Sequence, residues 1–227
     1  MGDIEEVQFG DPLILAEFSI GELRSLYHEA KNHFDLRLAG LEARSKNVSL
    51  EDEESDYLAV WMEDVEGFLD LIEHFGVIGA YRTLEIFLSN VVDQLRKGGF
   101  IEGKTERYLD GLKDQLKEIG VDLTRRPFRW QAIKKLQKIR NCIAHNEGWV
   151  DKRNVSKLKG CGLSVQEGHC LKLPKGYFLE ASQLVYNTCQ LVTENCRGAR
   201  KQRRHWWTRF ASWLLRSARK RENNEDS

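Results

Sequence analysis

A chain of 227 residues with 41% hydrophobic and 31% charged side chains holds enough apolar material for one well-cored domain with appendages, which excludes wholesale disorder. No apolar stretch reaches the roughly 18 residues of a membrane span, and Met1, Gly2, Asp3, Glu5 and Glu6 lack the basic-then-apolar order of a signal peptide, so a cytoplasmic protein is expected. The formal charge of zero conceals a division: residues 1–80 carry 19 carboxylates against 5 cations, a net −14, and the remainder carries +14. Such halves face different partners or meet in a dimer, and nucleic acid would choose the basic one.

In chain order, Ser19 and Glu22 have the spacing of a capping box ahead of Leu23, Leu26, Tyr27, Ala30, Phe34 and Leu38, which predicts a helix of about seven turns. Residues 45–56 are polar and acidic and read as a linker, with Ser55 or Asp56 capping the next helix. From Tyr57 to Leu95 the pattern is helical again, with a bend or turn expected at Gly76 and Gly79. Leu84, Phe87, Leu88, Val91 and Leu95 form its apolar stripe.

Thr105 is placed to cap a helix through Leu109, Leu112, Leu116 and Ile119 that Gly120 would end. The next helix runs from Phe128 to about Asn146, with Ile133, Leu136, Ile139 and Ile143 on one side and Gly148 at the stop. Leu163 and Val165, then Cys170, Leu171 and Leu173, flank Glu167 and Gly168 in the manner of a β-hairpin. Phe178 to Val192 returns to helix. The expected fold is mainly α: an antiparallel helical bundle with one small β-hairpin inserted before the penultimate helix. It divides into an acidic N-terminal helical segment and linker (1–54), the bundle (55–196) and a basic aromatic C-terminal helix with a polar tail (197–227).

Cys142, Cys161, Cys170, Cys189 and Cys196 match neither a paired zinc site nor a disulfide framework, and read as reduced thiols, mostly core filling. His169, Cys170 and Cys161 lack a fourth ligand, so no metal or other cofactor is expected.

Residues 138–148, KIRNCIAHNEG, set Arg140, Asn141 and His145 at the end of a helix, followed by Asn146 and Gly148. At about 100° per residue, the apolar stripe of this helix centres more than about 120° from Asn141 and His145, so His145 faces away from the helix's own core. Arg140 lies on the flank, where its stem can pack on apolar neighbours while its head swings toward the same surface.

Here the chain resembles the HEPN superfamily. Those domains are small helical bundles marked by an Arg, usually followed by a polar residue, and a His roughly four to six residues beyond it, a pattern that Arg140, Asn141 and His145 match. Tyr81, Leu84, Glu85 and Leu88 look like the helix that packs beside the motif in such domains, often with a Glu, and the resemblance covers residues 57–196.

The resemblance implies a homodimer in which two motif helices meet and both Arg–His pairs line an RNA-binding cleft. His145 would exchange a proton as the RNA 2′-hydroxyl attacks the adjacent phosphate, without a metal. Arg140 would hold the phosphate and its developing charge, and Asn141 would orient backbone or base. Glu85 and Asn146 would support the site. The products would be a 2′,3′-cyclic phosphate and a 5′-hydroxyl.

A toxin, defence or RNA-processing ribonuclease, restrained by an antitoxin or regulatory protein, is the leading expectation. A non-catalytic HEPN module binding RNA, a nucleotide or a protein partner is the alternative. In the second case Arg140 pairs with a carboxylate such as Glu85, and Asn141 and His145 simply finish a helix.

Residues 197–221 hold ten cations and no carboxylate, interleaved with Trp206, Trp207, Phe210, Trp213 and Leu214. Arg200, Arg203, Arg204, Trp206, Trp207 and Arg209 are candidate RNA contacts, because cations neutralise phosphates and rings stack on bases. The same composition suits packing on the acidic N-terminal helices, or, less well, an anionic membrane surface.

Overall fold

Two long helices set the frame. In the computed structural model, which describes residues 10–48 and 53–199, α1 (Gly10–Ser45) has 36 residues and α2 (Glu53–Lys97) has 45. They lie antiparallel: the Tyr27 hydroxyl donates to Glu73, Leu23 rests against Gly79, and Arg44 pairs with Glu54 at the turn. The shorter helices α3 (Leu109–Glu118), α4 (Trp130–Asn146) and α5 (Lys152–Lys159) follow, and α6 spans 177–199.

The main core joins Ala16, Ile20 and Tyr27 of α1 to Val77, Tyr81, Leu84 and Leu88 of α2, to Leu112 and Leu116 of α3, to Ile133, Leu136 and Ile139 of α4, and to Phe178, Val185 and Val192 of α6. The boundary drawn at residue 54 thus falls at the head of α2, and α1 contributes directly to the main core. A second, small cluster of Leu41, Leu58 and Val65, with Phe34, Leu38 and Met62 against it, joins the far ends of α1 and α2 into a two-helix arm.

Several local expectations change. Ser19 is internal to α1 and starts no helix, because the apolar face already begins at Leu13 and Ala16 and carries the helix past it. Ser55 and Asp56 lie within α2, whose first turn also holds Glu53 and Glu54, carboxylates suited to the positive end of a helix. Tyr108 takes the N-cap of α3 with no side-chain bond, while the Thr105 hydroxyl hydrogen-bonds Asp93.

α2 runs unbroken through Gly76 and Gly79. A Cβ on Gly76 would meet Phe178 Cγ at 2.5 Å, and one on Gly79 would meet Leu23 Cδ2 at 2.9 Å. These glycines cost about 1 kcal/mol each in helix propensity. Close approach of α6 and α1 offsets this, since fully burying a side chain such as Phe178 is worth about 1.5–3 kcal/mol.

Glu73 explains how α6 starts. Its buried carboxylate accepts from the Tyr27 hydroxyl (2.6 Å), from Gly176 N (2.6 Å) and from Phe178 N (2.9 Å). A side chain of α2 thus satisfies the otherwise orphaned amides at the head of another helix and sets its charge against the positive end of the dipole.

The β-hairpin does not form, and among the described residues an isolated bridge between Trp149 and Cys170 stands in its place. Gly168 still turns the chain, at φ +77°, but the segment after it pairs with the residues following α4. Val150 N donates to His169 O (3.0 Å), Gly168 N to Val150 O (2.9 Å) and Leu171 N to Gly148 O (2.7 Å). Leu163, Val165, Leu171 and Leu173 are all buried, so their apolar spacing reflects an extended loop over the core.

Among the described residues no helix is long and apolar enough to cross a membrane.

Candidate functional site

α4 is helical because Ile133, Leu136, Ile139, Cys142 and Ile143 recur at helical spacing and are all buried. It ends because Glu147 takes a left-handed conformation, φ 52°, and Gly148 follows at φ +82°. Gly148 is needed twice over: a Cβ there would lie 3.1 Å from His74 Cε1.

The turn is held from below. His74 Nε2 donates to Leu171 O at 2.8 Å, so the ring carries its proton on Nε2, and burial lowers its pKa from the ordinary histidine value. Asn146 Nδ2 donates to Asp151 Oδ2 (3.2 Å), and Asp151 caps α5 by accepting from Asn154 N at 2.8 Å. Asn146 therefore ties the end of α4 to the start of α5, a helix for which Asp151, standing just ahead of it, was the available sequence signal.

On the outer side, Asn141 and His145 are solvent-exposed and one turn apart, the spacing that sets side chains next to each other on a helix. Arg140 is half-buried. Its guanidinium carbon lies 5.5 Å from the centroid of the Tyr81 ring, and Nη1 donates to Asn141 Oδ1 at 3.0 Å. Its Nε is enclosed with no hydrogen-bond partner. The head of Arg140 is thus delivered to the surface that Asn141 and His145 share, while its inner part is spent on the α2 contact.

Tyr81, legible in the sequence only as part of the helix beside the motif, is the residue on which Arg140 rests. Its ring is 1% exposed and its hydroxyl is buried with no partner in hydrogen-bonding geometry. Burial pushes the phenol pKa far up, the charge of Glu85 adds to this, and Gln137 and Arg140 work against it. Glu85 itself pairs with Arg82 at 3.7 Å. Legibility fails here because a ring-to-guanidinium contact depends on the register between two helices, which periodicity within one helix does not reveal.

α4 holds Lys134, Lys135, Lys138 and Arg140 and no carboxylate. Lys134 is engaged with Asp110 at 2.8 Å, whereas Lys135 and Lys138 are exposed, so the outer side of the helix is positive ahead of Asn141 and His145. Such a surface attracts phosphate.

All five cysteines are thiols outside any disulfide: Cys142, Cys189 and Cys196 are buried, Cys161 is half-buried and Cys170 is exposed. Burial raises the Cys142 thiol, and the charge of Asp151 adds to it. Among the described residues no group of three or more His, Cys, Asp or Glu side chains could hold a metal ion. Arg200, Arg203, Arg204, Trp206, Trp207 and Arg209 lie outside the described residues.

Compared with protein-family models, curated proteins and solved structures, the chain matches none.

Proposed function

We propose that this protein is a HEPN-type endoribonuclease that cleaves RNA at a site formed by Arg140, Asn141 and His145, completed by the same residues of a second copy across a homodimer. One observation carries the reading: the Arg140 guanidinium reaches the Asn141 amide, and Asn141 lies one turn from His145 on an exposed, cationic helix face. In this reading His145 takes the 2′-hydroxyl proton, the 2′-oxygen attacks the adjacent phosphorus, and the 5′-oxygen leaves with a proton returned by an imidazole. Arg140 binds the phosphate and stabilises the charge of the transition state. Proton transfer and charge stabilisation both come from side chains, so the scheme uses no metal ion. A toxin or defence role, held in check by a regulatory protein, fits an RNA-cutting activity of this kind.

The test is cleavage of a defined RNA oligonucleotide by the purified full chain in EDTA. The reading expects fragments ending in 2′,3′-cyclic phosphate and 5′-hydroxyl, and no cutting of the same oligonucleotide carrying 2′-O-methyl groups throughout. Cutting of the methylated strand contradicts it.

A second reading, a non-catalytic HEPN module that binds RNA, a nucleotide or a protein partner, is favoured by the anchoring of Arg140 on Tyr81 and Asn141. A guanidinium already engaged on two sides suits a fixed binding surface. Binding of RNA with no cleavage under any of these conditions would select it.

A further inference from the structure

The arm exposes an apolar stripe that the bundle does not use. Tyr57, Val60, Trp61, Phe68, Leu71 and Phe75 fall on one side of α2 at helical spacing, and Tyr57, Trp61 and Phe75 are 67%, 50% and 68% exposed. A contiguous patch of large apolar side chains on a soluble surface marks a binding site. The charge of α2 here is one-sided: residues 53–75 contain eight carboxylates and no Lys or Arg, and of these carboxylates Glu73 is buried inside the fold and Glu54 pairs with Arg44 of α1. Residues 31–48 of α1 add four cations and two carboxylates, which leaves the arm net negative. Two such arms laid face to face would set like charges together, so the occupant must be both apolar and basic.

The chain contains a segment of that chemistry. Residues 200–221 carry nine cations and no carboxylate, with Trp206, Trp207, Phe210, Trp213 and Leu214 among them. The same chain's segment cannot lay all of its rings on the stripe. α6 starts beside Tyr27, with the Phe178 and Tyr27 ring centroids 4.9 Å apart, and passes Arg24, whose Nε donates to Ser182 at 2.8 Å. It therefore runs toward the Pro12 end of α1 and away from the arm. From Phe178 to residue 199 the helix travels about 32 Å, and the stripe extends about 27 Å in the opposite sense. Fully stretched, seven residues span at most about 25 Å and fourteen about 50 Å. Trp206 and Trp207 then stop short of Phe75, and Phe210, Trp213 and Leu214 reach the stripe only on a segment pulled nearly straight, so the full set of rings can cover it only from a second copy.

We propose that the aromatic, acidic face of the arm is a docking site for residues 200–221 of a second copy of this chain. Its rings cover the Tyr57–Phe75 stripe, and its arginines meet the flanking carboxylates. This interface is separate from the α4 face and does not depend on the ribonuclease reading.

The test uses the full chain with a photo-crosslinking phenylalanine analogue in place of Trp61, mixed with uniformly ¹⁵N-labelled chain, irradiated and mapped by mass spectrometry. The expected result is cross-links of mixed isotope content between position 61 and residues 200–221, lost in Arg203→Glu/Arg204→Glu/Arg209→Glu. Cross-links confined to one isotope, cross-links to another arm, or none at all overturn the proposal. It is equally overturned if the triple reversal leaves the cross-link in place and instead removes salt-dependent binding of an RNA oligonucleotide.

Discussion

The guanidinium of Arg140 stands over the ring of Tyr81, with 5.5 Å between its carbon and the ring centroid, so the motif helix and the long helix beneath it are joined at the motif itself. Tyr81 contributes through its ring, because its hydroxyl is buried with no hydrogen-bond partner. Tyr81→Phe removes that polar atom and keeps the ring, and should leave stability unchanged or raise it by about 1 kcal/mol. Tyr81→Ala opens a cavity in the main core and should cost about 3–5 kcal/mol. Urea denaturation of the two variants checks both, and a Phe variant as unstable as the Ala variant would show that the hydroxyl is bonded.

Glu73 draws its importance from its three donors on two other parts of the chain. Glu73→Ala leaves the amides of Gly176 and Phe178 and the Tyr27 hydroxyl without their acceptor in the interior, an expected loss of about 3–5 kcal/mol. Glu73→Gln keeps one acceptor oxygen and should lose less. Amide hydrogen exchange would show the damage first at residues 176–180.

The contact between Gly76 and Phe178 predicts a coupled pair. Gly76→Ala alone gains helix propensity of about 1 kcal/mol but drives a methyl to within 2.5 Å of the Phe178 ring, so it should destabilise. In a Phe178→Leu background the same substitution should cost less, and a double-mutant cycle with zero coupling would contradict the packing described.

How much of this was legible in sequence follows the range of the forces involved. The apolar side of α4 and the exposure of Asn141 and His145 follow from period alone, and all of Ile133, Leu136, Ile139 and Ile143 are buried. The continuity of α2 did not follow, because glycine weakens a helix locally and only the partner helix reveals why Gly76 and Gly79 are there. The loop pairing of 168–171 with 148–150 was hidden for the same reason: alternating apolar residues announce an extended segment, not what it pairs with. Tyr81 beneath Arg140, Glu73 at the head of α6 and His74 beneath Gly148 are contacts between elements, beyond the reach of local patterning.

His74 predicts an acid-sensitive stability. Burial depresses the folded-state pKa, partly offset by the Leu171 carbonyl and by Asp70 and Glu73, while an unfolded histidine titrates near about 6.5. Between the two values the unfolded chain binds more protons. The contribution is therefore complete above about pH 6.5 and falls as the pH drops toward the folded value, by at most about 1.4 kcal/mol per pH unit. Urea midpoints at about pH 7.5 and about pH 5 should converge more in His74→Gln, which keeps a donor near Leu171 O, than in the wild type. An identical pH dependence in both would contradict the assignment.

The most direct measurement is the rate of RNA cleavage in EDTA by His145→Ala and Arg140→Ala beside the wild type, with circular dichroism and thermal melts showing that each variant is folded. Loss of general acid–base catalysis at His145 should slow cutting about 100-fold or more, and loss of the Arg140 charge by a similar factor. Cleavage by both folded variants at the wild-type rate would contradict the assignment of Arg140 and His145 as the groups that act on RNA.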